Sequence, residues 1–246
     1  MALVATACQV RATVAVDVAE DGSGTVEVAV GLDAEAVARL PDLDDDGLSG
    51  VTDLAALVRT DDLAAAGWEL GQPSTADSRG DGGFVWIRAT KPFGTPEEAG
   101  RVLAEITGAG GALRDLRVER DYGFGRTRFT FEGTADLSGG LEAFGDEGLA
   151  AALDGEALGQ DAAAIEAELG QPLAEMFSLE VSADVPGSGS SSGTWSPVLG
   201  DEPVDMEASG TVRDWPVLGV AAGAALCALA LVVLLLVRLL RRSHTR

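Results

Sequence analysis

The chain is 246 residues long, room for one or two domains, and carries 40 Asp and Glu against 17 Lys and Arg, a formal net charge of −23. So acidic a chain repels phosphate backbones, which excludes nucleic-acid binding. Its single histidine, His244, lies close to the C-terminus, which leaves no histidine for a catalytic base or a His-rich metal site in the body of the chain.

The first element is a short lead. In Leu3-Val4-Ala5-Thr6-Ala7-Cys8, small residues precede a cysteine, as at the end of a bacterial lipoprotein signal where the cysteine receives the lipid. No basic n-region or full apolar h-region precedes Cys8. Two readings stand: residues 1–8 are the end of a truncated signal with Cys8 lipidated, or Cys8 is a small residue opening a strand.

Residues 9–20 alternate, with Val10, Ala12, Val14, Val16 and Val18 on one face and Arg11, Thr13 and Asp17 on the other. Residues 25–32 repeat the pattern with Val26, Val28, Val30 and Leu32. Asp21-Gly22-Ser23-Gly24 lies between, so the spacing predicts an antiparallel hairpin with one buried face. Short helices are predicted over 33–40 and 50–66. Between them Asp42-Leu43-Asp44-Asp45-Asp46-Gly47 begins a D-x-D-x-D-G calcium-loop pattern. Asp42, Asp44 and Asp46 take loop positions 1, 3 and 5, and Asp53 stands at position 12. Asp53 is shorter than the usual Glu, and Ser49 replaces the usual aliphatic anchor. The loop reads either as a calcium site or as a solvated acidic connection, and no other cofactor is implied.

A strand is predicted over 84–91 and a helix over 95–107, with Thr95 as N-cap, Pro96 at the first helical position and Gly108 at its end. Segments 113–121 and 126–135 form a second hairpin around Tyr122-Gly123-Phe124-Gly125, with Leu116, Val118, Thr127, Phe129 and Phe131 facing inward. Arg114, Arg117, Arg120, Arg126 and Arg128 crowd this hairpin. Arg117, Arg126 and Arg128 are the candidate head-group residues, on the face opposite Phe129 and Phe131, where guanidiniums can grip phosphate or sulfate bidentately. The competing reading pairs them with Asp115, Glu119, Asp121 and Glu132 as cross-strand ion pairs. Alanine-rich helices are predicted over 142–176 and a strand over 177–185. A Gly/Ser-rich loop spans 186–194, and the last strands fall at 195–198 and 204–209. Gly189–Gly193 satisfies G-x-S-x-G literally, but in a Gly/Ser tract without a base it reads as a turn.

From Trp215 to Val237 the chain carries no charge, long enough to cross a bilayer as a helix. Arg238, Arg241, Arg242 and Arg246 make 238–246 a basic tail, which the positive-inside rule places in the cytoplasm. Residues 9–211 are then an extracytoplasmic domain on a single-pass anchor, and all 40 acidic residues precede the span. Cys227 lies within the span and cannot pair with Cys8. Gly219 and Gly223 form a GxxxG that suits close helix packing and a weak homodimer. The fold expected for 9–211 is α+β: one curved, mostly antiparallel sheet covered by helices.

The cysteine before an alternating strand, the turn Asp-Gly-x-Gly, "IRATKPF" over 87–93, "TRFTFEG" over 127–133 and "TWSPVLG" over 194–200 before a span carry a resemblance. On these the chain resembles the LppM family of actinobacterial envelope lipoproteins over about residues 8–237. The resemblance implies an envelope-exposed domain that engages lipids or lipoglycans, without a known active site. The acidic loop over 42–53 departs from that pattern. The expected function is non-catalytic binding of an envelope lipid or lipoglycan at the membrane. The alternative is a scaffold module, calcium-stabilised, for another envelope protein.

Overall fold

In the computed structural model of the chain, residues 9–38, 60–75, 83–107, 111–140, 166, 172–189 and 192–216 are described, with scattered residues of a helix between 219 and 231. Strands β1 (Val10–Val18) and β2 (Gly24–Asp33) form the predicted opening hairpin, pairing Val14 with Val28 and Val16 with Val26. In its turn Asp21 accepts the Ser23 N–H at 3.0 Å and the Ser23 hydroxyl at 2.6 Å. These bonds, the hydroxyl's first, hold the Asp21 carboxyl below its usual range. Helix α1 (Ala34–Ala38) follows, its Ala36 N–H donating to Asp33 Oδ1 at 2.7 Å.

Helix α2 (Thr60–Ala65) leads to the two-residue strand β3 (Glu69–Leu70), and β4 (Phe84–Phe93) pairs with β2 and β3. Helix α3 (Pro96–Thr107) begins as the sequence predicts. Thr95 Oγ1 accepts the Glu98 N–H at 3.2 Å, and Glu98 reaches back to the Gly94 N–H at 2.8 Å. Strands β5 (Leu113–Gly123) and β6 (Arg126–Ala135) make the second hairpin. Helix α4 (Leu173–Met176), then β7 (Phe177–Asp184), β8 (Gly193–Trp195) and β9 (Val204–Arg213) complete the order. Of the helices predicted over 142–176, Glu166 and Leu173–Met176 are helical, Pro172 is not, and the rest lies outside the described residues.

The chain is α+β, but the expected single sheet is two. One has six strands in the order β3-β4-β2-β1-β7-β8; the other has three, β5-β6-β9. Pairing is antiparallel except between β1 and β7, which run parallel. Both sheets turn apolar residues into one core: Val14, Val16, Val26 and Val181 from the first, Val118, Phe129, Phe131 and Met206 from the second. The short strand β8 joins them, its Trp195 stacking on Phe131 with ring centroids 5.8 Å apart. Thus the second sheet and α3, through Ala99, Val102 and Leu103, cover the first sheet where helices alone were expected. Alternation shows which residues face inward; it does not say which sheet a strand joins.

Strand β5 carries an irregularity the sequence concealed. Its register shifts between Arg114 and Arg117, where Asp115 adopts φ +54°. The bulge turns the strand over, so Leu113 before it and Val118 after it are both buried despite their odd separation. Leu116 packs into the space left by Gly133, where an added Cβ would lie 2.4 Å from the leucine side chain. The segment predicted as a flexible Gly/Ser connection is also partly fixed. Gly187 sits at φ +73° against β9, where a Cβ would meet the Thr211 carbonyl oxygen at 2.4 Å.

Candidate functional site

The outward face of the three-stranded sheet is polar, and its charges are sorted along the strands. At the hairpin end Gly123, Arg126 and Arg213 stand side by side on β5, β6 and β9; the next row is Asp121, Arg128 and Thr211. Two rows further on the set is Arg117, Glu132 and Glu207. The residue period of two along β6 puts Arg126 and Arg128 on one face, opposite the buried Phe129 and Phe131.

A cavity of about 280 Å³ opens here, lined by Asp121, Tyr122, Gly123, Arg126 and Arg128. Gly123 leaves room for the Arg126 stem, which would lie 3.2 Å from a Cβ at that position. Among the described residues, the guanidiniums of Arg126, Arg128 and Arg213 meet no hydrogen-bond or ion-pair partner. Asp121 is directly across from Arg128 in the ladder and is the one carboxylate lining the cavity. Two guanidiniums facing one carboxylate leave capacity for a second anion, and planar N–H pairs suit phosphate or sulfate oxygens.

The remaining arginines of the predicted cluster go elsewhere. Arg117 donates from Nε to Glu119 Oε1 at 3.1 Å and from its terminal nitrogen to Glu132, so the cross-strand reading describes it and it does not share the cavity. Arg114 pairs with Asp136 at 3.0 Å. The Asp136 carboxyl is held below its usual range, first by the Ser138 hydroxyl and with help from Arg114. Arg120 lies on the core side, over the Phe129 ring at 5.3 Å and the Tyr122 ring at 4.6 Å. Its guanidinium donates to the carbonyl of Glu20, at 3.0 Å, and to that of Asp21, pinning the β1–β2 turn to the second sheet.

Sequence reasoning placed Trp215 at the interface but missed Tyr122, Phe124 and Arg213. Tyr122 and Phe124 stand exposed at the hairpin tip, and the Asp214 N–H donates to the Gly125 carbonyl at 3.0 Å. The signals were present as aromatics in a glycine turn and as an arginine two residues before the apolar run. Only the β6–β9 register brings the two together.

Cys8 and the acidic loop carrying Asp42, Asp44, Asp46 and Asp53 lie outside the described residues. Among the described residues no group of three or more His, Cys, Asp or Glu could hold a metal ion. The G-x-S-x-G match leads into strand β8, whereas a nucleophile elbow leads into a helix. The described residues from Trp215 to Leu231 are helical. Among the described residues no helix is long and apolar enough to cross a membrane. On that helix Val220, Leu226, Leu229 and Leu231 are exposed, and Gly219 and Gly223 face open space.

No protein-family model matches the chain, and no curated protein matches it. Among solved structures the chain is similar to the folded domain of LppM from Mycobacterium tuberculosis, determined by NMR. Identity is 14%, the match covers 87% of this chain and 95% of that one, and the TM-score is 0.34.

Proposed function

We propose that the chain is a single-pass cell-envelope protein whose outer domain binds the anionic head group of a lipid or lipoglycan, without chemistry. The observation that carries this reading is the pair of guanidiniums, Arg126 and Arg128, unpartnered among the described residues and lining one cavity at the sheet end from which the C-terminal helix departs. The uncharged run 215–237 and the Arg cluster after it supply the anchor and its orientation. The exposed leucines of the helix find their partners in lipid on this reading. No apolar cleft between sheet and helices is needed, because the selective contact is polar and lies on the outer face.

Native mass spectrometry of the full chain, released from micelles containing phosphatidylcholine and phosphatidylglycerol, tests the reading. Wild type should retain phosphatidylglycerol preferentially. Arg126→Ser with Arg128→Ser should weaken that retention about tenfold or more, the scale of one or two lost charge-assisted bonds. Equal retention in both proteins overturns the head-group site and favours a protein partner for this domain.

A further inference from the structure

We propose that the tip of the β5–β6 hairpin is a foot that rests in the interfacial layer of the bilayer, fixing the outer domain against the membrane. This rests on the reading of 215–237 as a span. The tip is the two-residue loop Phe124-Gly125, closed by the Gly123–Arg126 pair, with Gly125 at φ +65°. Phe124 is 77% exposed and Tyr122 73%; outside the C-terminal helix and its Trp215, the other exposed large apolar side chains among the described residues are Val30, at 38%, and Val198, at 49%.

The link between tip and helix is short and bonded. Arg126 pairs with Arg213, the last residue of β9, and the Asp214 N–H is bound to the Gly125 carbonyl at 3.0 Å. Trp215, 68% exposed, follows at once as the first residue of the helix. No slack separates sheet from helix, so a helix that enters the bilayer at Trp215 brings Phe124 to the same depth. Three aromatics then meet the interface, where rings with one apolar and one wet side are favoured. Arg126, Arg128 and Arg213 stand just behind them at the level of lipid phosphates. The occupant of this surface is thus the outer leaflet of the membrane that anchors the chain. Neutral lipid suffices for the aromatic contact, whereas the head-group site requires an anion.

The full chain in nanodiscs tests the foot. One environment-sensitive fluorophore is placed on native Cys227 in a Cys8→Ser chain. In a Cys8→Ser, Cys227→Ala background, others are placed on Tyr122→Cys and, about 27 Å up strand β9, on Asp205→Cys. In nanodiscs of phosphatidylcholine alone, spin-labelled lipid with a shallow probe should quench the label at 122 severalfold more than that at 205. Adding Phe124→Ser should remove most of that difference without lowering the melting temperature, since Phe124 is 77% exposed. Equal quenching at 122 and 205, with Cys227 quenched by a mid-bilayer probe, overturns the foot and leaves the span standing. Quenching at 122 that needs phosphatidylglycerol, or that ignores Phe124→Ser, also overturns it, since the arginines would then make the contact. An unquenched Cys227 overturns the span and the foot together.

Discussion

Lys91, the chain's one lysine, closes a small polar lock at the edge of the core. Its ammonium donates to both oxygens of Glu105, at 2.9 and 2.7 Å, and to the Ala66 carbonyl at 2.5 Å. The buried Trp68 donates its indole N–H to the same Glu105 at 3.0 Å, so one carboxylate joins β4, α3 and the segment after α2. The Lys91 bond, more than the Trp68 bond, holds the Glu105 carboxyl below its usual range against the opposing effect of burial. A lowered carboxyl pKa contributes stability above the pKa of the unfolded chain, and that stability is lost as pH falls through the folded value. The melting temperature of Glu105→Gln should therefore lie below wild type at neutral pH and converge on it as the pH falls through the lowered folded-state value. A gap that persists in acid would show that packing of the side chain, and not its charge, stabilises this corner. Lys91→Met should cost about 1–2 kcal/mol in thermal or urea unfolding, because it leaves Glu105 and the Ala66 carbonyl short of a donor.

The β5–β6 hairpin divides its work between faces and between ends. Phe131 is fully buried and stacked on Trp195, whereas Phe124 at the tip is mostly exposed. Phe131→Ala should therefore destabilise the domain by about 3–5 kcal/mol in urea unfolding, while Phe124→Ala should change the unfolding free energy by less than about 0.5 kcal/mol. A large effect of Phe124→Ala would mean that the tip packs against the domain. The strands of this hairpin were legible, because alternation of Val118, Phe129 and Phe131 against polar residues is a local signal. So was the shared face of Arg126 and Arg128. The bulge at Asp115 was not, since nothing in Leu113–Val118 announces that the backbone turns over between them. Grouping five arginines by proximity in sequence missed that Arg120 points to the core side, whereas the pairing of Arg117 with Glu119 and Glu132 was one of the two readings the residues offered. The parallel β1–β7 pairing and the place of Arg213 beside Arg126 depend on segments distant in sequence, for which periodicity carries no information.

At the scale of the whole molecule, charge argues for one orientation. All 40 acidic residues precede Trp215, and Arg238, Arg241, Arg242 and Arg246 follow Val237. A domain this acidic is repelled by an anionic bilayer over roughly a Debye length, about 8 Å at physiological salt. The sheet end bearing Arg126, Arg128 and Arg213 can approach without that cost, and it is the end from which the helix leaves. The tail arginines independently bias insertion toward a cytoplasmic C-terminus. On the proposed reading of 215–237 as a span, both effects put the hairpin tip at the outer leaflet. Protease added to intact cells should then remove the domain before Trp215 while a tag after Arg246 stays protected until the membrane is opened. Replacing Arg238, Arg241 and Arg242 with Glu should weaken that bias and expose the tag in a fraction of the molecules. If the tag is accessible and the domain protected in wild type, the head-group site faces the cytoplasmic leaflet, and the envelope reading falls with it.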